Sequence, residues 1–423
     1  MTFLLHNQNK HEPSIRFPEF EGEWETILIK DKFDFYSTNS FSRSKLDKNN
    51  GKVQNIHYGD IHTKFPCIVN VQKEKIPYIN KSVPENKINK FEYCKDGDLI
   101  IADASEDYDD IGKAIELTNI QSNKIISGLH TLLLRDKTNN VSPFFNGYLF
   151  QNESVKKEIK IKANGISVLG ISKKQLQQIR ITIPLKEEQE KIAKFLSQID
   201  KKISLMEKKN ECLINFKKHY IQNLNISPRN FKVKYGWKLI KLNKVLKEHK
   251  LKSTGQEEVY SVSVTEGLIN QVQHLGRSFS ANNTDNYNVV KIGDIVYTKS
   301  PTGDFPLGII KQSHIDNNVI VSPLYGVFKP ITVELGYILE NYFESPVNCY
   351  NYLHPIVQIG AKHTMNITNS IFLSKELYLP IDYEEQKSIA NDLYLINKKI
   401  NLMKEKINSI RSFKKYLLQN MFC

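Results

Sequence analysis

Two stretches decide how this chain is built: Glu188–Asn223, EQEKIAKFLSQIDKKISLMEKKNECLINFKKHYIQN, and Glu385–Asn420, EQKSIANDLYLINKKINLMKEKINSIRSFKKYLLQN. Set against each other at a constant offset of 197, they are identical at 17 of 36 positions without a gap. An ungapped match of that density marks an internal repeat. Neither stretch contains Pro or Gly, and apolar residues recur at alternating steps of four and three. Ile192, Leu196, Ile199, Ile203 and Met206 form the stripe in the first copy; Ile389, Leu393, Ile396, Ile400 and Met403 form it in the second. That spacing is a heptad seam on a helix.

The ends agree with long helices. Pro184 and Pro380 precede first turns rich in Glu, and Lys217-Lys218 and Lys414-Lys415 lie toward the last turns, charges that suit the helix dipole. Ser227-Pro228 is expected to stop the first helix. At 1.5 Å per residue, about 40 residues make a rod of roughly 60 Å, too long for a small domain to bury. Each rod needs a partner. The simplest is the other copy in an antiparallel coiled coil; a zipper between chains is the alternative. Asn210, Lys217 and Lys414 fall on the seam and are expected to select register or mark fraying.

The repeat continues upstream at an offset of 196: Gly97-Asp98-Leu99-Ile100 aligns with Gly293-Asp294-Ile295-Val296, Gly112 with Gly308, Ile171 with Ile367, and Pro184 with Pro380. The expected organisation is a flexible lead over 1–15, a first variable domain over 16–185, a helix over 186–225, a second variable domain over 226–381 and a second helix over 382–423. Short strands are expected at 55–58, 99–102, 131–134, 259–264, 295–298 and 326–328, with Gly59-Asp60, Gly97-Asp98, Gly267 and Gly293-Asp294 as turns. The fold class is therefore α+β: two mixed α/β domains joined by two long helices, with a pseudo-twofold repeat. After the shared Gly-Asp strand the copies diverge, to Asp103–Asp110 in one and Lys299–Pro306 in the other. A common frame with different loops suggests two binding surfaces with different targets.

The 423 residues suffice for several cores, and 40% hydrophobic with 25% charged residues describes an ordinary globular chain. The net charge of +13 makes a polyanion the first partner to consider. Divided by block it is +3, +3, +4 and +3, so no basic tail carries it. Cys67, Cys94, Cys212, Cys349 and Cys423 are dispersed and form no CxxC pair, as expected of a reduced, cytoplasmic protein. No stretch reads as a membrane span or secretory segment.

Catalytic motifs for phosphate, dinucleotide, S-adenosylmethionine, zinc-protease and serine-hydrolase chemistry are missing. Ser142-Pro143-Phe144-Phe145 and Ser322-Pro323-Leu324-Tyr325 lack the second Pro of a base-flipping methyltransferase loop and read as turns. Glu158-Ile159-Lys160 and Glu85-Asn86-Lys87 match half of a nuclease metal motif, with no Pro-Asp upstream. The acidic run from Asp103 to Asp110 lacks calcium-loop spacing and reads as a solvated loop or helix cap. His57, His62 and His363 read as packed or solvated side chains rather than metal ligands.

The pattern resembles the specificity subunit of Type I restriction-modification systems over nearly the whole chain. Arg16-Phe17-Pro18-Glu19-Phe20 with Trp24, and Gly236-Trp237, are similar to the starts of that family's two target-recognition domains. Tyr58–His62, Lys95–Ile101 and Lys291–Val296 resemble its domain signatures, and Pro184 through Ala193 with Pro380 through Ala390 resemble the starts of its conserved helices. The resemblance implies a non-catalytic reader of double-stranded DNA. Each domain would read half of a split, asymmetric sequence, and the helices would fix the spacer. Two modification subunits would supply S-adenosylmethionine and adenine N6-methylation, and restriction subunits would supply ATP- and Mg-dependent translocation and cleavage. This chain would bind none of those cofactors.

Lys and Arg contacts to phosphates would position the DNA, and a few side chains on base edges would specify it. The candidates lie in polar loops: Ser42, Arg43, Lys45, His62, Lys64, Asn164 and Ser167 in the first domain, and Arg277, Ser278, Lys299, Ser300, Thr302, Lys362 and His363 in the second. Two other readings stay open. One is a self-contained methyltransferase or nuclease; the other is a coiled-coil scaffold without a DNA role.

Overall fold

The structure, a computed structural model, describes residues 4–5, 12–138, 142–228, 235–272, 284–359 and 365–423. It divides into two compact units, residues 1–207 with 406–423, and residues 208–405.

In the first unit a five-stranded sheet runs in the order Phe33–Tyr36, Thr131–Asp136, Leu99–Ala102, Ala114–Thr118, Ile68–Asn70. All neighbours are antiparallel except the last pair. Leu99–Ala102 is buried along its whole length, as an apolar run flanked by strands on both sides should be. A four-stranded sheet, Ile125–Ser127, Gln54–Ile56, Tyr78–Ile79, Leu46–Asp47, lies in the same unit. The second unit repeats the frame in four strands, Leu246–Glu248, Gly326–Pro330, Ile295–Tyr297 and Ile310–Gln312, all antiparallel. Three of these strands correspond to Thr131–Asp136, Leu99–Ala102 and Ala114–Thr118 at the offset of 196.

In both units the chain's opening strand pairs with its closing strand, Glu25–Leu28 with Arg180–Ile183 and Trp237–Lys241 with Glu376–Pro380. The closing strand then runs into a long helix, Lys186–Asn223 or Tyr383–Asn420. The matched Glu-Gln pair fastens this junction. Gln189 Nε2 donates to the Pro184 carbonyl and Gln386 Nε2 to the Pro380 carbonyl, each at 2.8 Å. Glu188 takes a bidentate pair from Arg16 at 2.9 and 2.8 Å, whereas Glu385 accepts from Trp237 Nε1 at 2.7 Å.

The seam residues Ile192, Leu196, Ile203, Ile389, Leu393, Ile396 and Ile400 are buried, while Ile199, Met206 and Met403 are half-buried. Within the first unit, Ile192 and Leu196 share a core with Leu417, Met421 and Phe422, and Glu207 pairs with Arg411 while Asp200 pairs with Lys414. Position numbers fall on one helix as they rise on the other, so the segments are antiparallel. Within the second unit, Leu224 shares a core with Ile389 and Leu393, and Tyr220 Oη donates to Asp392 at 2.8 Å.

Three local expectations are corrected. The expected strand 55–58 ends at Ile56, and Gly59-Asp60 is no turn: Tyr58–Thr63 is helical because His57 Nδ1 caps it, accepting from the Gly59 N–H at 3.2 Å. The first long helix stops before Ser227-Pro228. It ends at Asn223, and Asn225 takes the left-handed conformation, φ +55°, that closes many helices. The Gly-Asp turns at 97–98 and 293–294 are as expected. Gly97 and Gly293 have φ of +85° and +84°, and Asp98 and Asp294 each accept the backbone N–H three residues earlier at 2.8 Å.

Candidate nucleic-acid interface

In the first unit the polar loops around the short helix Tyr58–Thr63 form one connected surface. Its pivot is Asp60, whose side chain is fully buried. One oxygen pairs with Arg43 at 2.6 Å and the other with Lys64 at 2.5 Å. Burial pushes this carboxyl's pKa up, but the hydrogen bonds from Arg43 and Lys64 outweigh it and hold the group below its ordinary range. Both cations are about half exposed, 49% and 55%, so each is tethered at one end and open to solvent at the other. Gly59 permits this approach, since a Cβ there would stand 3.1 Å from the Arg43 guanidinium.

From this pivot the contacts spread to neighbouring loops. Arg43 lies 3.4 Å from His57 Nδ1. Burial, reinforced by the charge of Arg43, lowers the His57 pKa to about 4, so this imidazole is neutral near pH 7. His62 Nε2 is 2.9 Å from the Ala104 carbonyl, and Lys113 donates to the His62 carbonyl at 2.7 Å. Tyr58 packs against the rings of His57, His62 and His130. His130 in turn lies 3.3 Å from Asp103, whose pKa burial raises. Ala104 and Ser105 pair with Gly170 and Leu169, which brings in the loop bearing Asn164 and Ser167.

Thus Arg43, His62 and Lys64 belong to one network, and Asn164 and Ser167 lie on the loop joined to it where Gly170 and Leu169 pair with Ala104 and Ser105. Ser42, bonded to Ser44 Oγ, and the exposed Lys45 lie on the adjoining turn. Sequence reasoning missed the parts that hold these groups in place: Asp60, Tyr58, His130 and Asp103. No local spacing announces them, since Asp60 lies 17 residues from Arg43 in the chain. The acidic run is an ion-paired turn, with Asp109 on Lys160 at 2.6 Å and Asp110 near Lys113 at 3.6 Å. Lys160 therefore serves that turn, and Ile159 before it is buried core. Among the described residues no group of three or more His, Cys, Asp or Glu is placed to hold a metal. No helix there is long and apolar enough to cross a membrane.

In the second unit, Lys299 and Ser300 are half-buried and Thr302 is exposed, all on the loop after strand Ile295–Tyr297. Lys299 has φ +53°, and burial lowers its pKa while Glu248 opposes the shift. Thr302 and Phe305 exchange backbone hydrogen bonds at 3.0 and 2.9 Å that close the turn. Arg277, Ser278, Lys362 and His363 lie outside the described residues.

These features define a class: a protein made of one α/β frame used twice, each frame feeding a long helix. Residues 21–214 match a family model, the Type I restriction modification DNA specificity domain, which covers most of the first unit. Two Methanocaldococcus jannaschii proteins are similar. The putative type I restriction enzyme MjaX specificity subunit is 25% identical over 207 residues, 49% of this chain and 46% of that protein. The type I restriction enzyme MjaVIII specificity subunit is 26% identical over 312 residues, 64% of this chain and 68% of that protein. The match thus spans about half the length of the first relative. Among solved structures, the S subunit of a type I system from M. genitalium aligns over 97% of this chain and 99% of its own, with TM-score 0.56 and 14% identity. A chain from a type I R-M system studied for complex assembly and conformational transition aligns over 93% and 96%, with TM-score 0.52 and 12% identity. The chain is thus similar to specificity subunits of Type I restriction-modification systems, through the specificity domain over residues 21–214 and through its fold over nearly the whole chain.

Proposed function

We propose that this chain is the cytoplasmic, non-catalytic DNA reader of a Type I restriction-modification complex, with one half of a split sequence read by residues 16–185 and the other by 226–381. The observation that carries this reading is the shared frame with dissimilar loops. The same three strands recur at an offset of 196, yet one copy presents Arg43, Lys64 and His62 around Asp60, and the other presents Lys299, Ser300 and Thr302. A constant frame with exchanged loops suits two recognition tasks performed independently. The cations would position phosphates, and the neutral polar groups beside them would address base edges.

The long helices are proposed to set the spacer and to dock two modification subunits, which would bring S-adenosylmethionine and adenine N6-methylation; restriction subunits would join that core with ATP and Mg. Leu205 and Leu402, and Phe216 and Phe413, occupy equivalent positions of the two helices and are about half exposed, between 45% and 57%. Apolar groups kept on the water side in both copies suit a partner that covers them.

Exchanging residues 20–180 for the same block of another family member tests the reading. Sequencing of methylated adenines in cells carrying the chimera should show one half of the motif replaced and the other kept. Replacement of both halves would refute independent reading. Methylation by the purified chain alone would instead establish a self-contained enzyme, and an unchanged methylation pattern would favour the scaffold.

A further inference from the structure

The loop before Ile171 carries a group that the cation network does not use. Ile166 is fully exposed, at 102%, and Val168 beside it is 52% exposed. This is not a frayed segment. The Asn164 N–H donates to the Gly170 carbonyl at 2.9 Å and the Gly170 N–H to the Asn164 carbonyl at 2.7 Å, closing the neck of the loop. Gln175 Nε2 buttresses the approach by donating to the Lys162 carbonyl at 2.6 Å. At the tip Gly165 has φ +133°, and a Cβ there would come within 2.0 Å of the Val168 carbonyl oxygen, so the turn has one shape and requires glycine.

A closed loop that holds an isoleucine in water gains nothing from burial within the unit. Nor does the frame require an apolar tip. At the offset that aligns Ile171 with Ile367, Ile166 falls opposite Lys362 and Ser167 opposite His363. A position fixed by packing would be apolar in both copies. What covers Ile166 is indicated by its surroundings. Lys162, Lys173 and Lys174 flank the loop in sequence, and its base joins through Ala104 and His62 to the short helix Tyr58–Thr63, whose Asp60 holds Lys64 and Arg43. That charge suits a polyanion rather than an apolar protein face. On a DNA groove edge, the apolar group available to an aliphatic side chain is the thymine 5-methyl in the major groove.

We infer that Ile166 reads a thymine methyl in the half-site addressed by the first unit, with Asn164 and Ser167 placed to bond neighbouring base edges. The inference rests on the DNA-reading function proposed above. Its test uses the chain assembled with its modification subunits and duplexes carrying the motif found by methylation sequencing. Each thymine of that half-site is replaced in turn by uracil, which deletes only the methyl. Binding should weaken at one position by about fourfold, the value for one methyl-sized group leaving contact, and Ile166→Ala should bind the thymine and uracil duplexes alike there. Because Ile166 is fully exposed, this substitution leaves the core untouched. If no uracil weakens binding, or if Ile166→Ala keeps the full thymine preference, the inference fails while discrimination against a scrambled half-site persists. Loss of that discrimination in the wild-type complex would overturn the DNA-reading proposal as well.

Discussion

The two units solve the same structural problems with different partner chemistry. At the start of each long helix a matched Glu gathers the chain's opening motif, but Glu188 does so through a buried ion pair with Arg16 and Glu385 through a hydrogen bond from the uncharged indole of Trp237. After the matched Gly-Asp turn, Asp98 holds Arg135 through both oxygens, whereas Asp294 meets His249 at 2.9 Å. On the neighbouring strand, Glu116 and Gln312 occupy equivalent positions with inverted polarity. Glu116 accepts from the Phe144 and Gly147 N–H groups, and Gln312 donates to the Gly293 and Val333 carbonyls. What the copies share is what fixes backbone geometry. What they exchange is the side chain that answers it.

The largest way to separate the units is at Arg16. Arg16→Ala leaves Glu188, 2% exposed, as an unpaired buried carboxylate and should destabilise the first unit by roughly 3–5 kcal/mol. Hydrogen exchange followed strand by strand should show Leu99–Ala102 losing protection while Ile295–Tyr297 keeps its own. Equal loss in both strands would mean that the two units unfold together.

The same contrast explains how much was legible beforehand. The helices, their antiparallel pairing and the Gly-Asp turns could be read because each depends on a spacing or a backbone conformation: a heptad stripe, or a positive φ that only certain residues accept. The strand ending at Ile56 and the helix after it could not, because the stop is made by the imidazole of His57 turning back onto Gly59. The candidate surface was half legible. Polar loops announce Arg43 and Lys64 by charge, but their convergence on Asp60 joins segments 17 residues apart, and no local pattern records that. Nor does spacing show that Lys160 is tied to Asp109 rather than free for a ligand.

A second difference should appear as a pH dependence of one unit only. Burial raises the Glu116 pKa to about 7 against the bonds from the Gly147 and Phe144 N–H groups, from an ordinary value of 4.5. The folded state therefore binds a proton that the unfolded chain has released, and stability of the first unit should fall as pH rises from about 4.5 to about 7, then level off. Gln312 does not titrate, so this position adds no such slope to the second unit. Glu116→Gln should remove the slope from the first unit. It should also cost about 1–3 kcal/mol, because an amide NH2 then faces a backbone N–H that the carboxylate had satisfied. Unfolding measured at several pH values for both proteins decides this, and a slope that survives the substitution would assign it to another group.

The smallest expected effect is the sharpest comparison. Trp237 stands opposite Pro380 at the end of the second unit's paired strands, Trp24 directly precedes the strand Glu25–Leu28 of the first, and both are buried. Trp237 Nε1 donates to Glu385, while Trp24 Nε1 has no hydrogen-bond partner among the described residues and its ring meets Phe422 edge-on at 6.4 Å. Replacing either by Phe removes the same ring volume, so the packing losses largely cancel between the two variants. What remains is one hydrogen bond to a carboxylate that is only partly buried and that water can reach, so Trp237→Phe should be the more destabilising by about 1 kcal/mol. Equal losses at the two positions would show that the bond from Trp237 to Glu385 adds nothing to the second junction, which would then be fastened by packing where the first has the ion pair of Arg16 with Glu188.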